Sequence, residues 1–162
     1  MIAITITPEM LERAKKKSAE MGQLNNSIMN GAGNLTGFLG EEIVLASCDR
    51  FTEDNTYQYD MLLDGKHKVE VKTKLQTSTT TPRLSYEASV TDYNPDQETD
   101  FYIFCRVTKD LTMGWIAGII KKEEYFEQAT RHNKGDLDES NNFTFKCDCY
   151  NLAYHRLSET LP

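Results

Sequence analysis

The sequence predicts a mixed α/β domain, a central sheet flanked by helices, and three observations carry that expectation. Apolar residues alternate with polar ones over several short stretches, a few segments repeat them at helical spacing, and Gly, Asn and Asp punctuate the intervals. The 162 residues suit one domain, 1–162, and 39% hydrophobic with 27% charged residues is enough to build a core.

The alternation of Ile2, Ile4 and Ile6 predicts a short strand, and Thr7-Pro8 then reads as a helix N-cap followed by the first helical residue. A helix from 8 to about 21 follows, closed by Gly22, with Met10, Leu11, Ala14 and Met21 as its apolar stripe. Lys15, Lys16 and Lys17 fan across the rest and are expected to face solvent. The stretch GQLNNSIMNGAGNLTGFLG, 22–40, is rich in turn formers and reads as a long ordered loop. A second helix is expected over 38–48, burying Phe38, Leu39, Val44, Leu45 and Ala46 and carrying Glu41 and Glu42. Strands are expected over 59–63, 69–74, 85–90, 101–107, 115–120, 143–147 and 150–154, with a helix over 122–129 among them. The Thr-rich stretch 77–82 and the polar stretch 133–142 read as connections, and Phe101, Phe104 and Trp115 as core.

Composition narrows the function classes. No apolar run approaches the length of a membrane span and the N-terminus has no secretory signature, so a soluble, cytoplasmic protein without membrane contact is expected. Cys48, Cys105, Cys147 and Cys149 form no CxxC pair and read as free thiols. His67, His132 and His155 are scattered, and no Gly-rich loop ends in Lys-Ser or Lys-Thr, which sets aside zinc hydrolases and nucleoside triphosphatases. A formal net charge of −7 opposes general affinity for DNA, because phosphate binding depends on Lys and Arg displacing counterions. A basic surface, if present, is local: Lys66, Lys68, Lys72, Lys74 and Arg83 cluster within 66–83, with Lys68, Lys74 and Arg83 as candidate DNA contacts and Tyr86, Tyr93 and Asn94 nearby.

The informative segment is YDMLLDGKHKVEVKTK, 59–74, which reads as a hairpin turning at Asp64-Gly65. Side chains alternate along a strand, so Val69, Val71 and Thr73 face the core while Lys68, Glu70, Lys72 and Lys74 face the opposite, charged side, where Lys72 is expected to be exposed. Keeping Met61 and Leu63 on the core side requires an odd loop, most simply three residues ending at Gly65, and that parity puts Asp60 on the face of Glu70 and Lys72. Two carboxylates and an ammonium on adjacent strands suit phosphodiester hydrolysis: acids hold one or two Mg²⁺ ions, and a lysine orients the water and meets developing negative charge. Glu41, after Gly40, is the favoured third acid, and Glu42 the second choice.

Asp60, nine residues, then Glu70-Val71-Lys72, resembles the motif of the PD-(D/E)XK nuclease superfamily, with Tyr59 where that motif has proline. The segment Gly37-Phe38-Leu39-Gly40-Glu41 is similar to the helix that carries an extra metal-binding Glu in Holliday-junction resolvases, and Gln76 looks like the glutamine that follows the lysine in exonuclease-like branches. More broadly, NGAGNLTGFLGE, VEVKTK and FKCDCYNL resemble small nuclease-like proteins of bacteriophages, which would place the chain in a bacterial host. The resemblance implies a restriction-endonuclease-like α/β fold with a central mixed sheet. It also implies Mg²⁺-dependent (or Mn²⁺-dependent) cleavage of DNA to a 5′-phosphate. By the same resemblance Glu41, Asp60, Glu70 and the Val71 carbonyl bind metal, Lys72 handles the nucleophile, and Gln76 or Glu42 supports them. A homodimer would cut both strands. Two rivals predict no cutting: a silent module of the same fold that binds DNA or a protein, and an acidic inhibitor of a DNA-handling enzyme.

Overall fold

A computed structural model describes residues 1–21, 32–54, 56, 58–92, 97–139 and 142–161. Strand β1 (Ile2–Thr5) leads into helix α1 (Pro8–Met21), where the Thr7 hydroxyl accepts the Met10 N–H at 3.3 Å and so caps the first turn. Met10 and Ala14 are buried, but Met21 is 45% exposed and lies off the stripe where it was expected. Helix α2 (Ala32–Ser47) begins six residues earlier than expected, so its first turns occupy what reads locally as loop; 22–31 lie outside the described residues. Packing overrides propensity here: Phe38, Leu39, Ile43 and Val44 are all buried, which outweighs three helix-weakening glycines and an asparagine within or beside the first turns.

Strands β2 (Phe51–Glu53), β3 (Met61–Leu63), β4 (His67–Gln76), β6 (Phe101–Thr108) and β7 (Met113–Lys121) join β1 in a six-stranded mixed sheet of order β1-β7-β6-β4-β3-β2. Only β4 and β6 run parallel within it. Between them the chain forms β5 (Glu87–Thr91), which pairs with β11 (Cys149–Ala153), itself paired with β8 (Thr130–His132), in a second sheet. Helix α3 (Lys122–Gln128) follows β7, and β9 (Leu137–Asp138) pairs with β10 (Phe143–Thr144). The strand expected over 143–147 is therefore two residues long, and the loop expected over 133–142 contains β9.

The six-stranded sheet is covered on both faces. Along β6 the odd residues Phe101, Ile103, Cys105 and Val107 pack with α1 and α2, while Tyr102 and Phe104 pack with Ala88, Val90 and Leu152 of the small sheet and with Tyr125 of α3. In β7 the register slips by one residue opposite Phe104/Cys105, so Ile116 and Ile119 join the first cluster and Ala117 and Ile120 the second. Trp115 is buried, as are Phe101 and Phe104. All four cysteines are free thiols. Among the described residues no helix is long and apolar enough to cross a membrane.

Helix α2 approaches β4 closely at Gly40. A Cβ built there would fall 1.8 Å from Thr73 Oγ1 and 2.9 Å from Thr73 Cβ, so only glycine lets α2 lie this close to β4. Gly40→Ala is expected to cost about 1–3 kcal/mol of stability through overpacking, and Thr73→Ala added to it should restore part of that loss. Urea unfolding reads both, and an unchanged midpoint for Gly40→Ala would show that α2 does not rest on β4 in this way.

Candidate active site

The hairpin of β3 and β4 pairs Met61 with Val69 and Leu63 with His67, leaving a three-residue loop, 64–66, one residue further along than the expected one ending at Gly65. Asp64 (φ 54°) and Gly65 (φ 66°) supply the left-handed backbone that this turn needs. The loop remains odd, and the observed register carried one step further sets Asp60 opposite Glu70. Asp60 donates its N–H to the Val69 carbonyl at 3.0 Å, and its Oδ2 accepts the Val71 N–H at 2.7 Å. The carboxylate thus takes a ladder position that a carbonyl would otherwise fill, which fixes its direction.

The face of β4 bearing Glu70 is less open than alternation suggests. Glu70 is 9% exposed, and Lys72, expected to be exposed, is half-buried because the small sheet and Phe104 lie over this side of β4. The Lys72 ammonium bonds Glu70 Oε1 at 2.5 Å. Lys68 reaches the other way, to Glu98 at 2.8 Å and over the ring of Tyr59.

Helix α2 separates the two adjacent glutamates. Glu42 points toward α1, where Arg13 holds it at 2.7 Å and Lys17 at 3.2 Å; that buried carboxylate is committed to joining the helices. Glu41, about 100° around the helix, is buried on the side of Asp60 and Glu70, with Lys17 at 3.9 Å. Lys17 also holds Glu53 of β2 at 3.0 Å. Contrary to the expected solvated lysine face, Lys17 is therefore a structural cation; only Lys15 and Lys16 extend outward. Burial opposes its charge, but Glu53 and Glu42 outweigh that and hold its pKa above the ordinary lysine value. Lys17 and Glu53 are the residues that reading the sequence missed. The available signal was that Met10, Ala14 and Lys17 recur at helical spacing, which continues the buried stripe through the lysine.

The electrostatics follow from five carboxylates sharing three cations: Glu41, Glu42, Glu53, Asp60 and Glu70 against Arg13, Lys17 and Lys72. Burial, then the charge of Asp60, pushes Glu41 up to about 8 despite Lys17. Enclosure by protein, then the charge of Glu70, pushes Asp60 up to about 7 against the Val71 N–H and Lys72. Such a set of hard oxygen donors, short of positive charge, fits Mg²⁺ or Mn²⁺ in chemistry. As the side chains stand, no three His, Cys, Asp or Glu among the described residues converge as ligands of one ion: Asp60 spends an oxygen on the Val71 N–H and Glu70 one on Lys72.

The remaining candidates lie apart. Gln76 closes the far end of β4, about 20 Å along the strand from Glu70, where its amide donates to the carbonyls of Ser78 and Thr80 and organises the Thr-rich connection. Arg83 is exposed in that connection, Tyr86 and Lys74 line a cleft beside β4, and Tyr93 and Asn94 lie outside the described residues.

No family model matches the chain, and no curated protein does.

Because Glu41 and Asp60 hold protons more tightly folded than unfolded, the stability they contribute is fully present near pH 4 and is lost as pH rises through about 7 to 8. In EDTA the chain should lose several kcal/mol of stability as the pH rises from 5 to 8.5. Glu41→Gln should flatten that loss; urea unfolding at the two pH values measures it, and an equal slope in the variant would show that Glu41 ionises normally.

Proposed function

We propose that the chain is a metal-dependent nuclease with a restriction-endonuclease-like fold that hydrolyses DNA phosphodiester bonds. The observation that carries this reading is that Glu41, Asp60 and Glu70 lie near enough for their charges to act on one another, with a half-buried lysine bonded to Glu70 two residues along the same face. Those acids would hold Mg²⁺, with the Val71 carbonyl as a further ligand by resemblance to PD-(D/E)XK nucleases. The ion, when bound, lowers the pKa of a coordinated water and offsets charge on the phosphate.

The protein's own part is positional. The Val71 N–H fixes Asp60, so that carboxylate needs little reorganisation. Lys17 and Arg13 hold Glu42 and keep α2 pressed down, which keeps Glu41 at the site. The Lys72 ammonium, tethered to Glu70, can donate to the attacking water and to a non-bridging phosphate oxygen as its negative charge grows. The net charge of −7 restricts attraction for DNA to local cations such as Lys68, Lys74 and Arg83. A dimer would allow both strands of a duplex to be cut.

A second reading, a silent module that binds without cutting, is favoured by the bond of Glu70 to Lys72 and the lack of a ready three-ligand set among the described residues. An acidic inhibitor of a DNA-handling enzyme draws on the same negative charge. Incubating linear, nicked, branched and single-stranded DNA with Mg²⁺, Mn²⁺ or EDTA separates the three. The nuclease should cut only with metal, and Asp60→Asn and Lys72→Ala should each lower the rate by about 10²-fold or more with the fold intact. DNA retained in EDTA with no product at any metal concentration would select the silent module, and no DNA binding at all the inhibitor.

A further inference from the structure

Beyond Lys72 the same face of β4 opens into a second feature. A cleft of about 430 Å³ lies between the end of β4, the small sheet and the β9–β10 hairpin. A smaller hollow lined by Lys72, Lys74, Glu87 and Ser89 adjoins it, on the side of Lys72, which bonds Glu70. The two lysines are two residues apart on one strand face, about 7 Å, so whatever lies against Lys72 continues directly over Lys74.

The floor of the cleft is polar and pre-arranged. Lys74 donates to Ser89 Oγ at 2.5 Å, Ser89 Oγ to Asn151 Oδ1 at 2.5 Å, and Asn151 Nδ2 to Glu87 Oε2 at 2.6 Å. Arg106 beside it is held by the Tyr154 hydroxyl at 2.7 Å, with the rings of Tyr86 and Tyr154 at 5.1 and 5.6 Å from its guanidinium carbon. One wall is aromatic: Phe143 is 45% exposed, and its ring meets Phe145, which stacks on His132 at 4.2 Å. A large apolar ring left open over a polar floor is the arrangement on which a nucleobase stacks while its edge finds donors and acceptors.

The charge points the same way. Lys74, Arg106 and Lys146 line the cleft against Glu87 and Asp138, a local excess of one positive charge in a chain of net −7. Although its side chain is accessible, Lys74 sits deep in the concavity; enclosure by protein, then the charge of Arg106, lowers its pKa to about 8. Two cations forced together in a partly dry cleft are relieved by an anion between them, and a phosphate supplies it.

We propose that this cleft receives an unpaired nucleotide, its base against Phe143 and its phosphate at Lys74 and Arg106, so that the substrate is single-stranded or frayed DNA and not an intact duplex. A base within a duplex would have to leave its stack to enter, whereas an unpaired base enters at no such cost. The inference rests on the nuclease reading of the neighbouring carboxylates only for calling the bound strand a substrate.

The test is fluorescence anisotropy of the full chain in EDTA, which silences cutting, with labelled oligonucleotides of one sequence: single-stranded, forked and blunt duplex DNA, and the matching RNA. Single-stranded and forked DNA should bind at least about tenfold more tightly than blunt duplex. Phe143→Ala and Lys74→Gln, whose side chains lie outside both apolar clusters, should each weaken that binding by about five- to tenfold with unchanged thermal midpoints. Equal affinity for blunt duplex, affinity that neither variant moves, or tighter binding of RNA overturns the proposal, whether or not the chain cuts DNA. Cleft-dependent binding of single strands by a chain that never cuts upholds the cleft and removes the nuclease reading alone.

Discussion

The approach of α2 to β4 at Gly40 is the constraint on which the rest of the molecule depends. Without a side chain between them, helix and strand lie close enough for Thr73 to fill the space where a Cβ would stand. Gly114 does the same for Ile43 one turn further along, where an added Cβ would fall 2.2 Å from Ile43 Cδ1. The helix is therefore pressed down along its length, and the two residues after Gly40 must be buried although both are glutamates. Burying a carboxylate is costly unless charge or hydrogen bonds offset it. Arg13 and Lys17 do so for Glu42, while Glu41 lies beside Asp60 and Glu70 with Lys17 at 3.9 Å.

That asymmetry connects packing to chemistry. A network neutralised throughout would serve stability alone, whereas this one leaves Glu41 and Asp60 with raised proton affinity at the point where β3 begins. Repulsion between such acids contributes nothing to folding, which makes the cluster a candidate functional site. The second layer acts from the opposite side. The small sheet half-covers Lys72, tethers Lys74 through Ser89, and walls a cleft over Lys74.

The parts of this arrangement legible in the sequence are those set by alternation. The run from Val69 to Lys74 shows which residues share a face, and Met61 with Leu63 shows that the hairpin loop is odd, so Asp60 falls beside Glu70 whether the loop closes at Gly65 or at Lys66. The Thr7 cap and the burial of Phe101, Phe104 and Trp115 are equally local, since each follows from a residue type at one place in one element. The start of α2 was not legible, because its Asn and Gly residues favour turns when considered alone and become helical only through the apolar face further along. Nor was the role of Lys17, whose partners stand 24, 25 and 36 residues away on α2 and β2.

By itself, then, the sequence determined the strand faces, the hairpin parity and the acid–acid–lysine grouping, because side-chain direction along a strand has a period of two and needs no knowledge of what lies across it. Only the tertiary structure turned Glu42 toward α1 and Glu41 toward Asp60, made Lys17 a tie between three elements, half-buried Lys72 and enclosed the cleft over Lys74. Those features depend on how close one layer comes to another, and that distance is set by long-range packing around particular small residues such as Gly40, for which no local period exists.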